Sequence, residues 1–372
     1  MKPRKVWAIA VKELRQAARD PLTLGMLLGV PTMMLLMYGY ALNFDVRHVP
    51  LAIQDLDQSA RSRALISSFV NSGYFDRVAD LPAGAALDRV TETRLARAIL
   101  RIPQGYAREL AAGRTASVQL VLDGADANTA TTVLGYAQAL VGEANLEIRR
   151  DSFGDGEPAI AYDPRVWYNP ELRSTQFLVP GLIGFILMLT AVLSTALSVV
   201  REKERGTMEQ LRVTSLHPGE LIVGKTLPYL GISLLATVLI LLAARFLFGV
   251  SVRGPYLDLF LATLIYLIGA LGFGLLVSSF ADTQAMAFQA GSVASMLPAI
   301  FLSGFIFPIR SMPEPLQLVT YAVPARYFNV ILRGVILKGA GLAPYGRDLA
   351  FLVLYAVVVL AIAYARLTRR EV

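Results

Sequence analysis

The chain has 372 residues, of which 55% are hydrophobic and only 17% charged, with a mean hydropathy of +0.53, a balance outside that of ordinary soluble domains. It contains no cysteine, which excludes disulfides, thiolate metal sites and cysteine nucleophiles, and its two histidines, His48 and His217, are too far apart in the chain to suggest a metal site. The net charge of +7 sits beside long apolar runs with no nucleic-acid-binding motif, so it reads as topological bias and no nucleic-acid partner is expected.

In chain order, residues 1–21 predict a cytoplasmic amphipathic interface helix. Trp7, Ala10, Val11, Leu14 and Ala18 share one face, and Lys5, Lys12, Arg15 and Arg19 share another, so the helix should lie along the membrane surface. A bilayer core needs about 20 apolar residues in a helix. Uncharged runs near that length occur at Leu22–Asn43, Ser174–Val200, Thr226–Ala244, Leu259–Ala281, Thr283–Ile309 and Leu349–Ala365. They predict spans at 22–43, 174–200, 226–249, 257–281, 283–309 and 347–366. The first run is too long for a signal peptide and lacks a small-x-small cleavage pattern, so it reads as a retained helix.

Residues 44–173 have ordinary soluble composition and are long enough for one domain. Strands are expected at Leu51–Gln54, Tyr74–Val78, Ala98–Ile102, Val118–Leu122 and Ala159–Trp167. Helices are expected at Ser59–Val70 with Ser59 as cap, at Gln104–Ala112, and over Asn128–Arg149. Interleaved strands and helices predict an α/β domain. The fold class is therefore membrane α-helical, with six transmembrane helices and an extracytoplasmic α/β domain inserted between the first two.

Orientation follows from loop charge. Lys2, Arg4, Lys5, Lys12, Arg15 and Arg19, then Arg201, Lys203, Arg205 and Arg212, then Arg366, Arg369 and Arg370, all fall on one side if there are six spans. That side should be cytoplasmic, with both termini and the tail 367–372. Arg310, Arg326, Arg333 and Lys338 break the rule on the other side, which suggests that residues 310–346, apolar over Val319–Ile336, dip into the outer leaflet.

The loop 201–225 is charge-dense, then amphipathic, then broken at Pro218-Gly219. Thr207 can cap a short helix with Gln210 in the capping-box position. Its end, Gly219-Glu-Leu-Ile-Val-Gly224-Lys225-Thr226, fits the phosphate-loop pattern. That pattern needs a preceding strand and a soluble following helix. Here Pro218 precedes it and a span follows, so Gly224 is expected to let helices approach and Lys225 to anchor the span at the cytoplasmic interface. The uncharged spans carry no His, Asp, Glu or Lys, which removes the ionisable pair an intramembrane hydrolase requires and argues against proton coupling. From the residues alone, two readings stay open: a transport subunit, and a membrane-anchored docking or receptor protein whose extracytoplasmic domain binds a partner.

Glu202, Glu204, Gly206, Thr207, Glu209, Gln210 and Leu211, followed by Pro218, Glu220, Gly224 and Lys225, resemble the loop after the second span of ABC type-2 permeases. Ser303–Pro308, Met312-Pro313, Pro324-Ala-Arg326-Tyr327 and Arg333-Gly334 resemble that family's segment after its fifth span, and Lys12-Glu13-Leu14 with Arg19-Asp20-Pro21 its N-terminal surface helix. The large extracytoplasmic domain resembles the bacterial multidrug-type branch. The resemblance implies a permease half-transporter in the inner membrane. It would pair with a second permease copy, identical or closely related, and with separate ATPase subunits that bind the ATP and magnesium, so this chain would hold no cofactor, metal or catalytic site. The helix Thr207–Leu216, including Glu209, Gln210, Leu211 and Thr214, would be the coupling helix, and the N-terminal helix would also touch the ATPase. Glu202 and Glu204 would pair with basic groups at the cytoplasmic mouth. Pro308, Pro313 and Pro324 would punctuate re-entrant helices, where Arg326 and Arg333 meet lipid headgroups or anionic substrate, or else cap carbonyls. The cargo would be amphipathic, drug-like or lipid-like. The extracytoplasmic domain would gate the exit or dock a periplasmic adaptor.

Overall fold

The computed structural model describes residues 2–41, 48–85, 87, 90, 95–123, 127–153, 173–207 and 217–369. In chain order the elements are α1 (Pro3–Arg19), α2 (Pro21–Ala41), β1 (Val49–Asp55), α3 (Ala60–Asn71), β2 (Phe75–Asp80), β3 (Ala98–Ile102), α4 (Tyr106–Ala111), β4 (Gln119–Leu122) and α5 (Ala127–Phe153). They continue with α6 (Ser174–Glu204), α7 (Pro218–Phe248), α8 (Tyr256–Ser278), α9 (Gln284–Phe301), α10 (Glu314–Thr320), α11 (Pro324–Lys338) and α12 (Gly346–Arg369). The chain divides into two compact units, Met1–Asn43 with Arg165–Val372, and Phe44–Pro164.

The Phe44–Pro164 unit is built on a four-stranded sheet in the order β2-β1-β3-β4, with β1 parallel to both β2 and β3, and β4 antiparallel to β3. Side chains alternate across the sheet. Val49, Leu51 and Ile53 of β1, with Ala98, Leu100 and Ile102 of β3, pack beneath Leu65, Ile66 and Phe69 of α3 and Val133, Ala137 and Leu140 of α5. Ala52 and Ile99 point the other way, onto Val90 and Ala96. Ser59 caps α3 in a reciprocal capping box with Ser62. Four of the five expected strands and all three expected helices are present, within a few residues; the fifth strand, Ala159–Trp167, lies outside the described residues.

The helical unit is organised around α6, which packs against α2, α7, α8, α9 and α11. Among the described residues, α6, α7, α8 and the stretch Ala343–Arg366, which takes in most of α12, are long and apolar enough to cross a membrane. The described part of α2 that is apolar, Leu27–Ala41, is shorter, and α9 is an 18-residue helix with Gln284 and Gln289 in its first half. The uninterrupted span expected over 283–309 is thus corrected. The helix ends at Phe301, Gly304 turns the chain through a left-handed conformation (φ 74°), and Pro308 opens a 3-10 turn at Ile309–Ser311. On α8, Gly274 faces the Val192 carbonyl of α6, where any side chain would collide with backbone. Tyr266 of α8 stacks on Phe328 of α11 and donates a 2.8 Å hydrogen bond to the Gly184 carbonyl of α6.

In the α/β unit, Asp57 follows β1 and accepts hydrogen bonds from the amides of Gly105 (2.9 Å) and Ala107 (3.1 Å) at the start of α4. Hydrogen bonding from Ser59 outweighs burial and, with these amides, holds the Asp57 carboxyl below its usual value. A depressed carboxyl adds stability above its unfolded value, about 3.9, and loses that stability as pH falls through its folded value. Asp57→Asn is therefore expected to cost about 1 kcal/mol at pH 7. In thermal melts of the full chain, the gap to the parent should close as pH approaches 3.

Candidate functional site at the base of the α6–α7 loop

The last turn of α6 carries four consecutive charged residues, and each meets a different neighbour. Arg201 pairs with Asp20 between α1 and α2 (3.5 Å) and reaches Gln284 of α9. Lys203 donates to the carbonyls of Ser278 (2.6 Å) and Ala281 (3.0 Å), closing the C-terminus of α8. Glu204 accepts from the backbone amide of Gln284 (2.6 Å), capping the N-terminus of α9, and also meets the Gln284 side chain.

Glu202 turns inward. It pairs with Lys12 of α1 and with Lys225 of α7, whose Nζ lies 2.7 Å from its Oε2. Lys225 also reaches Glu13 of α1 at 3.1 Å, and Lys12 meets the same Glu13 oxygen at 3.2 Å. The other Glu13 oxygen accepts from the hydroxyls of Ser198 (3.2 Å) and Tyr229 (3.5 Å). Lys225, Glu13 and Glu202 are 1%, 2% and 5% exposed. Two cations and two anions thus balance at the junction of α1, α6 and α7, where Glu13, Glu202 and Lys225 are buried and Lys12 is half exposed at the edge. Burial works to raise the Glu13 carboxyl, but Lys225 and Lys12 outweigh it and hold it below its ordinary value, so it stays ionised.

Local sequence explains how the three helices meet. His217 caps α7 by accepting from the Gly219 amide, Pro218 takes the first helical position, and Glu220 accepts from the His217 amide. Glu220 also accepts from the Lys2 amide (2.6 Å), which joins the starts of α1 and α7. Gly224 lies against Ile9 and the Val6 carbonyl, leaving no room for a Cβ, so α1 seats directly on α7. The phosphate-loop lookalike is helical from Pro218 onward and forms no loop. The loop expected over 201–225 is accordingly shorter, since 201–204 belong to α6 and 218–225 to α7. Lys225, expected to anchor the span at the cytoplasmic interface, is buried in the protein, where it meets the carboxylates of Glu13 and Glu202.

Of the expected coupling residues, Glu202 and Lys225 come together. Glu204 binds Gln284, and the Thr207 hydroxyl donates to the Glu202 carbonyl (3.3 Å). Gly206 turns the chain with φ 69°. Glu209, Gln210, Leu211 and Thr214 lie outside the described residues. At the other end of α6, Pro308 opens the 3-10 turn, Pro313 caps α10 and Pro324 starts α11. Arg333 lies over the Phe177 ring and donates to the carbonyls of Gly304 (2.9 Å), Phe305 (3.2 Å) and Phe177 (3.3 Å). Arg326 lies over Tyr321 and binds the Thr320 hydroxyl and the Gln317 carbonyl. Of the roles left open for these arginines, carbonyl capping is the one their contacts display. Sequence reasoning missed Lys12 and Glu13 as partners of Glu202 and Lys225. The available signal was an acid within the basic N-terminal helix, in line with Ile9 and Ala17.

A family model described as "ABC-2 family transporter protein" matches residues 22–365. The chain belongs to the ABC-2 transporter family. Three bacterial relatives align with it over most of their length. The chain is 33% identical to the "Probable multidrug ABC transporter permease YbhS" of Escherichia coli K12 over 99% of this chain and 97% of that protein. It is 30% identical to the "Probable multidrug ABC transporter permease YbhR" of the same organism, over 98% and 99%. It is 26% identical to the "Inner membrane transport permease YhhJ", over 91% and 90%. Family membership and four helices of spanning length make this ABC-2 chain an integral membrane protein.

Removing one partner from a buried ionic group leaves an uncompensated charge and costs about 3–5 kcal/mol. Lys225→Met is expected to lower thermal stability in detergent by an amount in that range. Adding Glu13→Gln, which restores charge balance around the remaining Lys12–Glu202 pair, should recover much of the loss. Additive losses would show that the two side chains act independently.

Proposed function

We propose that this chain is the permease subunit of an ATP-binding cassette exporter, forming the transmembrane path for efflux of an amphipathic, drug-like or lipid-like substrate. ATP and magnesium bind a separate ATPase subunit, and two permease copies, identical or related, complete the path. The reading draws on the full-length kinship with proteins named as transport permeases. The observation that carries it is the anchoring of the α6–α7 loop. Glu202 lies just before that loop and Lys225 just after it, and both enter the same buried junction with α1.

That arrangement suits a lever. A push on residues 205–217 cannot be absorbed by separating α6 from α7, because this would strand charges in a dry environment. The push moves α1, α6 and α7 together, and α8 and α9 follow through Lys203 and Glu204. We place α2 and α9 beside the four longer helices as the remaining spans, with both termini on the cytoplasmic side of the bacterial inner membrane. The Phe44–Pro164 unit then lies on the outer side, where it gates the exit or docks an adaptor.

The test is purification of the tagged protein from its native membrane, with measurement of co-purified ATP hydrolysis beside a Glu209→Lys variant. An ATPase activity that accompanies the parent and is lost or uncoupled in the variant is the expected result. A clean preparation without ATPase, and no difference in the variant, would return the balance to a membrane-anchored docking protein.

A further inference from the structure

The surface of α1 falls into three sectors. Ile9, Ala10, Glu13 and Ala17 are buried against the helical unit. Trp7 and Leu14, two turns apart on one line, remain 66% and 51% exposed, with Ala18 exposed beside them. Arg4 and Arg15, three turns apart, and Arg19 one turn further on form an exposed basic stripe along the other edge of that apolar line. None of these three arginines makes an ion pair with another described residue. An apolar stripe with a tryptophan flanked by arginines is a surface that a bilayer matches, because phosphates and acyl chains lie within a few ångströms of each other there. Asp20 is the single residue between α1 and α2, so the stripe is held where α2 begins.

We infer that α1 is a lipid-reading helix: Trp7 and Leu14 enter the acyl boundary of the inner leaflet, while Arg4, Arg15 and Arg19 bind the phosphates of anionic lipids. This rests on the proposal that α2 spans the membrane. The other face of the same helix supplies Lys12 and Glu13 to the buried junction. Anionic lipid therefore braces the α1 side of the lever, and lipid composition becomes an input to it.

The chain has two tryptophans, Trp7 and Trp167, so Trp167→Phe leaves Trp7 as the sole indole fluorophore. The full-length variant is placed in nanodiscs of mixed phosphatidylcholine and phosphatidylglycerol, with bromine on the acyl chains of one lipid or the other at equal mole fraction. Brominated phosphatidylglycerol is expected to quench Trp7 about twofold more than brominated phosphatidylcholine. Arg4→Gln, Arg15→Gln and Arg19→Gln together should erase the excess and leave quenching by phosphatidylcholine in place. Equal quenching by the two lipids, or an excess that survives loss of the arginines, overturns the inference. Quenching by neither lipid also overturns it and assigns the face to a protein partner. If Trp167→Phe does not fold, the difference between the parent and Trp7→Phe reports the same quantity. The measurement uses no ATPase and no cargo, so its failure is distinct from failure of the exporter reading.

Discussion

The structure of the helical unit depends on one constraint: Glu13, Glu202 and Lys225 are buried together, with half-exposed Lys12 at their edge, and none of the three can leave without stranding a charge away from water. Isolated, any of the three buried charges would cost several kcal/mol to bury. Together they are tolerable because each carboxylate meets two ammonium groups and Glu13 gains two hydroxyl donors as well. The junction fixes where α1 lies, since only one rotation of that helix brings Lys12 and Glu13 to Glu202 and Lys225. It also explains why Gly224 and Ile9 touch so closely, because a bulkier residue at 224 would lift Glu13 away from its partners.

A second set of polar ties works at the opposite end of α6. Arg333 gathers the carbonyls of Gly304 and Phe305, left open where α9 breaks, together with the carbonyl of Phe177 in the first turn of α6. Such carbonyls cannot be left bare in lipid, and an arginine with several donors in a fixed plane suits them better than a lysine would. The break in α9 and the contacts of Arg333 are thus one feature. Arg333 supplies the donors that this irregular backbone needs.

The organisation of both units was legible in sequence because it rests on periodicity. Alternation over Val49–Asp55 and Ala98–Ile102 fixes which side chains meet α3 and α5, and Ser59 marks the start of α3 by its chemistry alone. The charged turn Arg201–Glu204 was legible as a motif, and Glu202 was expected to meet a base. Its partners were not, because Lys12, Glu13 and Lys225 come from distant parts of the chain and each looks locally like a flanking charge. The amphipathic pattern of α1 led to a two-sector reading for the same reason. Nothing local says that Glu13 belongs to the buried side, so Ala10 was grouped with Trp7 and Leu14, although the structure separates them. The length of α9 was overestimated because an uncharged run does not report a left-handed turn at Gly304.

Between its two tied ends α6 has 31 residues, about 45 Å of helix, which exceeds a hydrocarbon core of about 30 Å. A helix of that length, buried along most of its middle and pinned at both ends, transmits displacement instead of absorbing it. Its soft points are where the ties stop: Gly206 with positive φ beyond the last turn, and Pro180 within the second turn after Phe177. In the proposed exporter, motion introduced through the loop beyond Gly206 would arrive first at the junction with α1 and α7. From there it would pass along α6 to the carbonyls that Arg333 holds, beside the break in α9. The charged groups that tie α6 to its neighbours, Arg201 to Glu204 at one end and Arg333 at the other, stand where a rigid helix must be gripped to be moved.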